Sequence, residues 1–376
     1  MLTLRHRLTS QSFQRCSGQI IRKLSIVLLC VTGFFGDVHG ADPLVELVTK
    51  ESVYRGRNVV HSSSYCWLET PLGRYEKVDL NQVVSFRKLD GPYRASTHFE
   101  QSSALRKELG KDFEMRADGH YLIAGPAGRV ALYGTLLNDA FRSNWSYFSR
   151  RGFRLREPEH PLVVIILPSH EAFLEFVAAR GSQKVSQHLR GQYERQSNQM
   201  VFYDEADAAG NISSFVRGTV IHESVHQFTF NTGLTQRLAD LPTWLVEGLA
   251  INLEEDANRE GKGTRMERAS SSRLAAYTRF RRLEPNWSLP EFLADDGPLF
   301  KQQTLDAYAV SWALTFYLME TRPAEFSRYL QHLQQRDLRQ KYSPQDRLAD
   351  FQKVFGHDLR TFEIQWARFM DELATN

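Results

Sequence analysis

The chain has 376 residues, 42% of them hydrophobic, which is enough to bury a sizeable core and marks a globular protein. Its 47 Lys and Arg against 44 Asp and Glu leave a formal charge of +3, too even a balance to argue for nucleic acid or an anionic membrane as partner.

Taken in chain order, Arg5, Arg7, Arg15, Arg22 and Lys23 precede an apolar run at 24–36, and VHG then precedes Ala41. A basic stretch, an apolar stretch and a small residue are the order of a secretory signal. Residues 1–40 therefore read as a signal peptide cleaved after Gly40, and the protein as secreted or periplasmic. The apolar run is well short of the roughly 20 residues that a spanning helix needs, so no stable membrane span is expected once it is removed. Bulky Leu29 before Cys30 argues against a lipidated cysteine. Cleavage also removes Cys16 and Cys30; Cys66 then has no disulfide partner and reads as a small buried apolar residue.

Residues 41–110 alternate short apolar and polar stretches between turn residues, as in VYRGRNVVH, SYCWLETPLGRYEKV and QVVSFRKL. They predict a β-rich region, with a short helix near its end closed by Gly110. From 111 onward YLIAG is a strand, 127–150 a helix, and the unbroken apolar run LVVIIL a buried strand. SHEAFLEFVAARG is a helix capped by Ser169 and ended by Gly181, and QMVFYD is a further strand. Helices are then expected at 213–230, 242–254, 305–320, 323–335 and 361–373, with 255–272 an exposed, mobile loop.

The first of those later helices carries TVIHESVHQFTF. Residues i and i+4 share one helical face, so His222 and His226 can direct their rings at a common point. Zn2+ takes neutral imidazole nitrogens, and a catalytic site uses three protein ligands with a fourth position left to water. Glu223, rotated about 100° around the helix, stands beside such a metal where a general base is needed. The next helix, in LPTWLVEGLAINLEE, runs back after a short turn and offers Glu247 as third ligand. On that helix Trp244 can wall a cleft or fill a core, and Gly248 can let helices pack closely. Without a metal, the same residues read as a helix whose histidines make surface hydrogen bonds.

HESVH followed by TWLVEGLA resembles the gluzincin metallopeptidases, and its WxxEGxA form resembles the peptidase-MA-like families of exported bacterial proteins. The resemblance implies an α+β protein: a small mixed sheet followed by a largely helical zincin-like catalytic domain at 111–376, after the β-rich N-terminal region. It implies Zn2+ held by His222, His226 and Glu247, and Glu223 as catalytic base. It further implies a polypeptide substrate laid along an edge strand near 200–203 and an oxyanion-stabilising hydroxyl, for which Tyr308 is the candidate. The third histidine of a metzincin is absent, since Thr229 and Thr232 stand at its diagnostic positions. The Asp that orients a histidine ligand in thermolysin-type enzymes is replaced by Ile251, leaving Asp240 as the candidate for that task.

The expected function is a secreted zinc peptidase, an endopeptidase because no GxMEN-like anchor for a substrate amino terminus is present. The alternative is a weakly active or inactive peptidase-fold protein that binds a cell-envelope partner through its β-rich region. A glycosidase is disfavoured, because no pair of carboxylates is identified for it. The sequons at Asn144, Asn211 and Asn286 name no host.

Overall fold

The computed structural model describes residues 42–181, 186–261 and 263–375. The signal-peptide reading of 1–40 lies outside them. The chain divides into two compact units, with the division between Ala95 and Ser96.

The first unit is an antiparallel sheet of β1 (Pro43–Thr49), β2 (Val53–His61), β3 (Tyr65–Glu69), β4 (Tyr75–Asp79) and β5 (Val83–Pro92), in the order β4-β3-β2-β1-β5. Alternation places Val45, Leu47, Cys66, Leu68 and Val78 together in a small core. Cys66 is buried there as expected, its thiol donating to Asn58 Oδ1 at 3.1 Å.

The second unit begins earlier than the expected boundary at 110. Helix α1 (His98–Leu109) starts at a capping box formed by Thr97 and Glu100 and sends Leu105 into the core of this unit. Burial of that leucine is why the helix belongs to the second unit and not to the first. A mixed sheet comes next: β6 (Glu114–Asp118), β7 (Tyr121–Gly125), β8 (Leu162–Leu167), β9 (Gly191–Glu194) and β10 (Gln199–Tyr203), in the order β6-β7-β8-β10-β9. The apolar strands β7, β8 and β10 run parallel in its middle, while β6 and β9 pair antiparallel at its edges. Strand β10 is therefore interior. It bonds on one side to β8 and on the other to β9, so residues 200–203 cannot receive a further strand, contrary to the expectation for the substrate edge.

Helix α2 (Val130–Arg150) links β7 to β8 and α3 (His170–Arg180) follows β8. Then come α4 (Ser214–Asn231), α5 (Thr243–Asn252), α6 (Ser271–Leu283), α7 (Thr304–Thr321), α8 (Pro323–Gln334), α9 (Pro344–Phe355) and α10 (Leu359–Thr375). The result is the α+β arrangement expected: a β-rich N-terminal region, then a small mixed sheet and a largely helical remainder. The stretch 255–272 is not a free loop. It contains helical turns at Asp256–Glu260 and Arg265–Arg268, the second opened by a Thr264–Glu267 capping box and tied to α7 by Arg268 on Glu320 at 2.5 Å. No helix among the described residues is long and apolar enough to cross a membrane.

Candidate metal centre

Ser213 caps α4 by accepting from the Val216 N–H at 3.2 Å, and Val216, Val220, Val225 and Phe228 bury the side of the helix turned to the core. The histidines are left lining a recess, with side-chain exposures of 18% at His222 and 10% at His226. At the end of the helix Thr229 and Thr232 turn their hydroxyls back onto the carbonyls of His226 and Phe228.

Helix α5 is anchored at its start, where Asp296 Oδ2 accepts the Trp244 N–H at 2.6 Å. Trp244 itself is fully buried, stacked on Tyr329 and edge-on to Phe351, so it fills the core and does not wall a cleft. Gly248 fits α5 closely against α7, because a methyl group there would stand 2.7 Å from the Ser311 carbonyl oxygen and closer still to the Thr315 hydroxyl. That approach brings Glu247 to the histidines. His222 Nε2 and His226 Nε2 are 3.1 Å apart, and Glu247 oxygens lie 3.3 Å from the first and 3.8 Å from the second.

The three residues form one potential ligand set. Three ligand atoms about 2.0 to 2.1 Å from a tetrahedral ion lie roughly 3.3 Å from one another, which matches these separations. Glu247 Oε2 is buried and its ion-pair contact is His222 Nε2, itself one of the candidate ligand atoms, so carboxylate and ring face the same point. The donor set therefore fits a metal of the zinc type.

Glu223 reaches β9, where its Oε2 accepts the backbone N–H of Tyr193 at 2.7 Å. Tyr193 is fixed in turn. Its hydroxyl donates to Asn198 Oδ1 at 2.6 Å, and Asn198, at φ 60° in the β9–β10 turn, bonds Asn231 at the end of α4. Edge strand and helix are thus clamped on both sides of the base.

The electrostatics distinguish the four groups. Burial pushes the Glu223 carboxyl up to about 7, with the charges of Glu247 and Glu254 adding to it against the pull of His222. Burial also drives His226 down to about 4. At His222 burial acts the same way, but contacts with Glu247 and Glu254 outweigh it and hold the ring well above its ordinary value. Glu247 stays below the ordinary carboxylate value in spite of burial, through the two histidines.

Two participants were not foreseen. Glu254 Oε1 lies 2.5 Å from His222 Nδ1. It follows Glu247 by seven residues, so on the helix expected at 242–254 both would share a face, a signal that was available to find it although the helix itself ends at Asn252. Asp240, the candidate for that position, instead accepts the Tyr342 N–H at 3.3 Å. The other, Tyr193, acts through its backbone and leaves no side-chain signal. Tyr308, on α7, is half-buried edge-on to Phe300, and its hydroxyl is held protonated by burial and by the charges of Glu247, Glu223 and Glu254.

A family model described as "Protein of unknown function (DUF1570)" matches residues 217–338, a stretch similar to that family that includes every side chain of the centre. Comparison with curated proteins gives no match.

Proposed function

We propose that the second unit is a zinc-dependent peptidase that hydrolyses internal peptide bonds of polypeptides outside the cytoplasm. The observation that carries the reading is the convergence of His222, His226 and Glu247 on one point, with Glu223, the residue after His222, held by the Tyr193 N–H of β9. His222, His226 and Glu247 would hold the ion, which when bound acidifies water and polarises a carbonyl.

The chain's own residues supply the rest. Glu223, whose carboxyl gains and loses a proton near neutrality in the metal-free site, takes a proton from the attacking water and passes it to the departing amide nitrogen. The Tyr193 N–H keeps that carboxylate on the β9 side of the recess. The Tyr308 hydroxyl, held protonated, is a donor for the oxyanion that develops on the carbonyl. Edge strand β9, not interior β10, is where an extended peptide would add among the described strands.

The test is Glu223→Gln. Zinc content should stay at one ion per chain, while kcat on a cleavable peptide falls about 10²- to 10⁴-fold. A zinc-loaded wild type that cleaves no member of a broad peptide library would contradict the reading.

A further inference from the structure

We infer that Glu254 is a positioning residue of this centre: it holds the His222 ring so that Nε2 is presented to the ion. The inference rests on the metal reading above and deepens it. With Nδ1 engaged by Glu254 at 2.5 Å, the neutral ring that a metal requires keeps its proton on that side and turns the Nε2 lone pair to the ligand point. Buried Ile251, four residues after Glu247, offers the ring no oxygen, and the carboxylate comes from three residues further along.

The position of Glu254 is built, not incidental. It lies just past the end of α5, where Arg259, with only 5% of its side chain exposed, donates to the carbonyls of Leu253 and Glu254, the latter at 2.8 Å. Arg259 also pairs with Asp256, and Asp256 meets Arg217 of α4 at 3.1 Å. The carboxylate and the histidine are therefore tied twice, once directly and once through Arg259, Asp256 and the helix that bears His222. A carboxylate that merely happened to reach the ring would need no second tie.

The experiment uses the full chain. Zinc affinity is read by competition with a chromophoric chelator, and ligand geometry by the visible spectrum of the Co(II)-loaded protein. Glu254→Gln should lower zinc affinity about 10- to 100-fold and alter the cobalt spectrum, a loss larger than the fall in metal-free stability from removing its pairing with His222 accounts for. Glu254→Asp should restore part of the loss. Asp256→Asn, which does not touch the ring, should give a smaller loss in the same direction. If the wild type binds zinc and Glu254→Gln binds it equally well, or loses affinity only in step with metal-free stability, this inference is overturned alone. If the wild type takes up no zinc, the metal reading falls and the inference with it.

Discussion

Glu46 in the first unit and Glu247 in the second are both carboxylates withdrawn from water, with side-chain exposures of 5% and 19%. Glu46 accepts from Arg55 at 2.6 Å and from Arg87 at 2.7 Å, and nearby Glu69 is paired with Arg57. Among the described residues Glu247 makes no ion pair with an arginine. Its partners are two imidazoles, at 3.3 and 3.8 Å. A buried charge saturated by guanidinium groups holds a sheet together, whereas one that faces imidazoles in a recess is held ready for something the chain does not itself contain.

The largest expected effect separates these roles. Glu247→Gln removes the third ligand, so stoichiometric zinc binding should be lost, and the metal-free chain should lose only the stabilisation that the two histidines give this carboxylate. Glu46→Gln should do the reverse: zinc uptake stays intact and the first unit unfolds more readily, the drop limited because Arg55 and Arg87 are well exposed and regain water. Metal analysis and thermal unfolding of both variants read the two outcomes. Zinc uptake lost in both variants, or kept in both, would erase the contrast.

A second effect tests how the glutamate is brought into place. Gly248→Ala puts a methyl group against the Ser311 carbonyl and the Thr315 hydroxyl of α7, which must move apart. Overpacking of this kind costs about 1 to 3 kcal/mol. Because Glu247 is the preceding residue, zinc affinity should fall together with stability, in contrast to Glu254→Gln. Calorimetric unfolding and chelator competition on the same variant check both, and unchanged zinc affinity would show that the fit of α5 on α7 does not set the ligand.

These contrasts mark where the fold and the centre were legible in the amino-acid order. The buried middle of the mixed sheet was plain, because YLIAG, LVVIIL and MVFY are apolar without interruption. Its edges were not. EMRAD and GQYE are short and polar, as edges must be to avoid pairing with other chains, and so they lack the apolar signal by which strands are recognised. Missing β9 then made β10 look like the edge. Helix α6 was hidden for a related reason, since its core contact is a narrow stripe of Leu274, Tyr277 and Phe280 among arginines. In the centre, residues that act through side chains at helical spacing could be read, and Glu254 was open to the same argument. Tyr193 was not, because a backbone N–H carries no identity.

The smallest expected effect is the response to pH, and here the two carboxylate settings diverge in sign. Glu46 is held below its ordinary value by its hydrogen bonds to Arg87 and Arg55. Its stabilisation is therefore present above the unfolded value near 4.5 and lost as pH falls below it, so it is silent around neutrality. His222 is raised well above 6.5, so in the metal-free chain its imidazolium is stabilising below that value, and the contribution is lost as pH rises through the raised one. Zinc must displace that proton. It also draws off the share held by Glu223, whose carboxyl sits at about 7, while His226, pushed down to about 4, has none to give at neutral pH. Uptake at pH 7 should thus release more than one proton per ion, with affinity rising by up to about tenfold per pH unit through neutrality for each proton displaced. Calorimetric titration in buffers of different ionisation enthalpy counts those protons. A count of zero would mean that the paired histidines stand neutral before the ion arrives, and that the resemblance between Glu247 and a saturated structural carboxylate is closer than their partners indicate.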